Sequence, residues 1–100
     1  MQKDEGKFKT ELKKEIEQRL PGCMVMYLDP NDIQGIPDLQ VLYNSRWAVL
    51  EAKKSSREPH RPNQDYYVEK MNKMSFAAFI FPENKEEVLD AMESALRAPR

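Results

Sequence analysis

One hundred residues, 40% hydrophobic and 33% charged, suffice for one compact domain and fall short of two. Sixteen Lys and Arg against seventeen Asp and Glu leave a formal charge of -1, which excludes a domain that coats nucleic acid through bulk positive charge. With one cysteine, no apolar leader-like start and no run of 18 apolar residues, the chain reads as a single-domain, cytoplasmic protein without disulfides or membrane spans.

In chain order, Phe8, Leu12, Ile16 and Leu20 recur four apart among Lys and Glu, which predicts an amphipathic helix over Lys7–Leu20, ended by Pro21-Gly22. Cys23–Leu28 is apolar throughout and is expected to be a buried strand, its thiol included; Asp29-Pro30-Asn31-Asp32 then has turn chemistry. Ile36–Tyr43 and Arg46–Lys53 are extended runs separated by Asn44-Ser45, hence a hairpin. The polar segment Ser55–Arg61 leads to a helix opening at Pro62, a residue suited to the first helical turn, and running through Met74. Phe76–Phe81 makes a fourth strand, and Glu83–Leu96 a closing helix with acidic residues in its first turn. The order is α-β-β-β-α-β-α, an α/β class with a mixed central sheet flanked by helices.

Charge is uneven along the chain. From Ala52 to Lys73 six cations face three anions, whereas Pro82 to Ser94 holds five anions and one cation. A solvated charged face accounts for either run as simply as a binding surface does.

The chemistry concentrates in Gly35-Ile36-Pro37-Asp38 and Val49-Leu50-Glu51-Ala52-Lys53. If Asn44 and Ser45 form a two-residue loop, Asp38 lies directly opposite Glu51, with Lys53 on the same face as Glu51. Like charges across an antiparallel pair destabilise a sheet unless a cation compensates them. Two carboxylates and the carbonyl of Ala52 suit a hard ion such as Mg²⁺ or Mn²⁺. An end-of-strand salt bridge from Lys53 to Asp38 or Glu51 is the plainer account of the same residues. Asp29–Gly35 lacks the oxygen ligand and glycine that a calcium loop requires. His60, without a Cys or His partner at ligand spacing, is expected to be a loop residue within reach of phosphate.

Pro37-Asp38, then Glu51-Ala52-Lys53 after a hairpin, with a helix before and a helix and strand after, resembles the PD-(D/E)XK nuclease superfamily, and within it the small VRR-Nuc-type and Holliday junction resolvase-like nucleases. The resemblance spans about residues 7 to 81 and implies an αβββαβ core. It further implies a Mg²⁺- or Mn²⁺-dependent endodeoxyribonuclease with Asp38, Glu51 and the Ala52 carbonyl as metal ligands and Lys53 as the catalytic lysine. Gln64 would border the site, and a first-helix glutamate would join it, Glu11 favoured over Glu15. Lys54, Arg57, His60 and Arg61 would meet DNA phosphates. Duplex or branched DNA such as a Holliday junction is the expected substrate, a homodimer the expected assembly, and no organic cofactor is implied. Two other readings stay open: a nuclease fold that binds or assembles without cleaving, and a nuclease subunit that needs a partner chain.

Overall fold

The computed structural model of the chain describes residues 5–99. Its elements are α1 (Glu5–Arg19), β1 (Met24–Tyr27), β2 (Leu39–Tyr43), β3 (Arg46–Ala52), α2 (Pro62–Met74), β4 (Phe76–Ile80) and α3 (Lys85–Arg97), the α-β-β-β-α-β-α order expected from the sequence. The strands form one mixed sheet in the order β1-β2-β3-β4: β1, β2 and β3 are antiparallel neighbours, and β4 runs parallel to β3. The parallel step needs a crossover, and α2 supplies it. No helix is long and apolar enough to cross a membrane among the described residues.

Alternation along β3 divides the molecule into two sides. Ala48, Leu50 and Ala52 join Leu39 and Val41 of β2 in a core closed by Phe8, Leu12 and Ile16 of α1 and by Leu89, Met92 and Leu96 of α3. Arg19 locks these helices together, its guanidinium on Glu86, Asp90 and Glu93 at 2.8, 2.8 and 3.3 Å. Much of the acidic run of α3 is thus consumed within the fold, which is the solvated-face outcome with an internal counter-ion added. The intervening β3 residues Trp47, Val49 and Glu51 face the other side, where α2 packs over β3 and β4.

Hairpin register follows the expected pairing, Tyr43 facing Arg46 and Leu39 facing Leu50. Asn44 takes the left-handed conformation, φ 56°, that the two-residue loop demands of its first position and that Asn tolerates better than most residues. β2 is shorter than predicted, starting at Leu39 rather than Ile36, yet the Leu28 N–H still donates to the Asp38 carbonyl at 2.9 Å.

Two expectations need correction. Cys23–Leu28 is not a buried strand: β1 spans Met24–Tyr27 on the sheet edge, Val25 is its one buried residue, and Met24 and Tyr27 are more than half exposed. An apolar run alone cannot tell an edge from a centre, because burial depends on which helices reach it. Cys23 is half-buried, its thiol directed at the Ile16 carbonyl 3.9 Å away. The second correction concerns α1, which begins at Glu5, not Lys7. A glutamate in the first turn favours the positive end of the helix dipole.

Gly35 fixes the approach of α2 to the sheet. Its φ is +91°, and a Cβ placed there would collide with the Cβ and backbone of Asn63 at the start of α2. Gly35→Ala is therefore expected to cost about 1–3 kcal/mol, read as a lower urea midpoint with unchanged slope, because both the backbone strain and the overlap must be relieved.

Candidate active site

The end of β3 brings the predicted carboxylates together. Asp38 stands across from Glu51, and Glu51 is 3% exposed. A third carboxylate enters from the first turn of α1: one oxygen each of Glu5, Asp38 and Glu51 lie within 4.8 Å of one another. Asp38 is held by two donors, the Ala52 N–H on Oδ2 at 2.9 Å and the Lys9 ammonium on Oδ1 at 3.1 Å. The Ala52 N–H thus aims Asp38 at the cluster.

Burial pushes the Glu51 carboxyl up to about 8, with the facing Asp38 carboxylate adding to the shift and Lys53 opposing it. Glu5 is raised by burial and by Glu58, with Lys9 opposing. Burial works against the Lys9 ammonium, but Asp38 beside it, with Glu5 and Glu51 behind, holds it above its ordinary value. Three acids crowded around too little positive charge have this signature.

Lys53 is 3% exposed, and its ion pair is with Glu58 rather than with Asp38 or Glu51 as the salt-bridge account requires. Its ammonium donates to Gln64 Oε1 at 2.7 Å and to the Pro59 carbonyl at 3.3 Å, and lies 3.6 Å from Glu58. Gln64, at the third position of α2, is the hub: Oε1 also accepts the Arg61 N–H at 3.0 Å, as a helix-capping glutamine does, and Nε2 donates to Glu51 at 3.2 Å. One amide therefore sets the spacing between the lysine and the buried carboxylate.

Lys54, Arg57, His60 and Arg61 all lie on the exposed segment joining β3 to α2. His60 stacks on Phe79, ring centroids 3.8 Å apart, and its Nδ1 meets Asp65 at 2.9 Å, so its ring fastens this loop to β4 and α2. Glu58 accepts the Lys54 N–H at 2.8 Å, and Glu83, from beyond β4, accepts the Ser56 N–H and hydroxyl. Those hydrogen bonds hold the Glu83 carboxyl below its ordinary value. Two clefts meet at Asp38, Glu51, Arg61 and Gln64. One of about 430 Å³ includes Lys53, Glu58 and His60, and one of about 340 Å³ includes Gln34, Gly35, Ile36 and Asn63.

Of the two helix glutamates expected here, neither joins the cluster. Glu11 is exposed, six residues beyond Glu5 and so about 9 Å further along the helix axis. Glu15 pairs with Lys85 of α3 at 3.2 Å. Glu5 was findable: it stands seven residues before Leu12, two turns back along the same apolar stripe. Lys9, Glu58 and Glu83 carry no comparable sequence signal.

The donor set fits a hard divalent ion. Oxygens bound to one octahedral Mg²⁺ stand about 3 Å (adjacent) to 4.2 Å (opposite) apart, so oxygens that lie within 4.8 Å of one another need only a small approach to share it, and a cation would relieve the repulsion that raises Glu51.

No family model matches the chain, and no curated protein does. Among solved structures it is similar to one described as a VRR_NUC domain, with a TM-score of 0.67 and 26% identity over 88% of this chain and 91% of that one. The likeness extends over most of both chains. With Asp38 just before β2, Glu51 on β3 and Lys53 just after it, the chain has the restriction-endonuclease-like fold of the PD-(D/E)XK nucleases, in the form taken by VRR-Nuc-type domains.

Proposed function

We propose that the chain is a nuclease, and more specifically a Mg²⁺- or Mn²⁺-dependent endonuclease acting on DNA phosphodiester bonds. The observation that carries this reading is the convergence of Glu5, Asp38 and Glu51 within 4.8 Å beside the buried Lys53. These carboxylates would hold the metal, which supplies Lewis-acid polarisation of a phosphate oxygen and a more acidic water. The chain's own groups do the rest. Gln64 orients Lys53 and Glu51 relative to one another, Lys53 offers an ammonium where charge develops on the phosphate, and Lys54, Arg57 and Arg61 give sequence-independent backbone contacts. His60 keeps their loop in place.

Branched DNA such as a four-way junction is the substrate we favour, with a homodimer carrying two sites. The exposed apolar side chains of Met24, Tyr27, Tyr66 and Met74 support such an assembly. A module that binds without cleaving, or needs a partner chain, has one observation on its side: Asp38 is already engaged by Lys9.

Supercoiled plasmid, linear duplex and a four-way junction, each with Mg²⁺, Mn²⁺ or chelator, separate these readings. Metal-dependent cleavage, fastest on the junction, is expected, with Asp38→Asn slowing it at least ~100-fold. Glu5→Gln should slow it about tenfold and Glu11→Gln less than about twofold, since only the former removes a clustered carboxylate. Intact substrates under every metal condition would favour the non-cleaving module.

A further inference from the structure

The site holds two lysines with different partners. Lys53 is committed to Gln64, the Pro59 carbonyl and Glu58, so the strand motif's own cation leaves Asp38 to another group. That group is Lys9, whose ammonium sits 3.1 Å from Asp38 Oδ1 while the Ala52 N–H takes Oδ2. Each oxygen of the central carboxylate therefore already faces one donor of the chain itself. Lys9 and Glu5 are one turn apart on α1, so the same stretch of helix delivers a carboxylate to the cluster and the cation that balances it. The Lys9 and Asp38 side chains remain 26% and 22% exposed, leaving the ammonium a path away from Asp38 into solvent.

We propose that Lys9 is the resident counter-ion of the carboxylate cluster, occupying Asp38 until a divalent ion displaces it, so that metal loading is a cation exchange on Asp38. This rests on the metal-dependent reading above and adds to it a residue outside the strand motif. Without Lys9, three carboxylates would face one another with no nearby cation on Asp38, and the metal-free fold would bear the repulsion. With Lys9 present, an entering ion must break an ion pair before it gains Asp38, which weakens apparent metal affinity by the strength of that pair.

Mn²⁺ titration of the full chain, followed by the paramagnetic resonance of the free ion, tests this together with metal-free melting temperatures. Lys9→Met should bind Mn²⁺ about tenfold more tightly than wild type, as expected when a competing charge leaves a partly buried site. It should also melt lower than wild type without metal and recover the difference at saturating Mn²⁺. Lys13→Met, one turn further along α1, measures the effect of deleting any helix charge and should change affinity less than about twofold. Lys9→Arg, which keeps a cation for Asp38, should bind no more tightly than wild type; this variant decides the matter if Lys9→Met fails to fold. A Lys9→Met affinity no tighter than that of Lys13→Met, or a Lys9→Arg affinity above wild type, overturns the role of Lys9 while leaving the metal site standing. Mn²⁺ binding that Asp38→Asn does not weaken overturns both.

Discussion

Glu51→Gln is expected to reduce metal-dependent cleavage at least ~100-fold and, in the same protein, to raise stability in the absence of metal above neutral pH. The two effects share one cause. Glu51 is buried opposite Asp38, and its carboxyl is pushed up to about 8. Unfolding returns it to the ordinary carboxylate range near 4.5, so between these values the folded chain binds more protons than the unfolded one. Stability of the metal-free protein should accordingly fall as pH rises from about 4.5 to 8, the reverse of the usual behaviour of an ion-paired carboxylate. Glutamine mimics the protonated form: it can still accept from Gln64 Nε2, and it can donate to Asp38. The variant should lose the slope and exceed wild type by about 2 kcal/mol or more at pH 8, measured by urea denaturation with chelator present. Saturating Mg²⁺ should reverse the order, since ligand that binds only the native wild type stabilises it alone. A variant less stable than wild type at pH 8 without metal would mean that Glu51 holds structure as an ionised group.

Lys53→Met should also lower cleavage at least ~100-fold, because it removes the ammonium that Gln64 holds beside Glu51, where phosphate charge would develop. Lys53 nevertheless makes contacts that look structural, to Gln64, the Pro59 carbonyl and Glu58, and the variant separates the roles. Met has nearly the same length and removes the desolvation cost of the ammonium but leaves Glu58 and the Pro59 carbonyl without their donor, so stability should fall by about 1–3 kcal/mol. Lys53→Ala leaves a hole and should cost more stability for a similar loss of rate. A loss of rate that tracks the loss of stability across the two variants would mark Lys53 as a support for the loop. Equal rate losses at unequal stability would mark it as part of the chemistry.

Periodicity and turn chemistry carried the element order, because α1, α3 and the strands carry recognisable apolar patterns and the breakers Pro21-Gly22, Asn44-Ser45 and Pro82 stand between elements. The opposition of Asp38 and Glu51 was legible for a different reason: a two-residue hairpin loop fixes register, and register fixes which side chains face one another. Gln64 was placed by resemblance, and its bridging of Lys53 and Glu51 depends on where α2 starts. Glu5 was missed because the charged opening of the chain reads as solvated. Lys9 was missed for a deeper reason. One lysine among several on an amphipathic helix becomes special only through the angle at which α1 crosses β2 and β3, and no local pattern encodes that angle. The exposure of β1 was illegible likewise, since it depends on how far α2 reaches across the sheet.

Glu5, Asp38 and Glu51 are proposed to share one divalent ion. Crystals grown with Mn²⁺ and measured at the manganese absorption edge test it directly. A single strong anomalous peak bounded by these three carboxylates is expected, with the Lys9 ammonium no longer on Asp38. A peak elsewhere, or none while Lys9 still pairs with Asp38 at a Mn²⁺ concentration that supports cleavage, would contradict it.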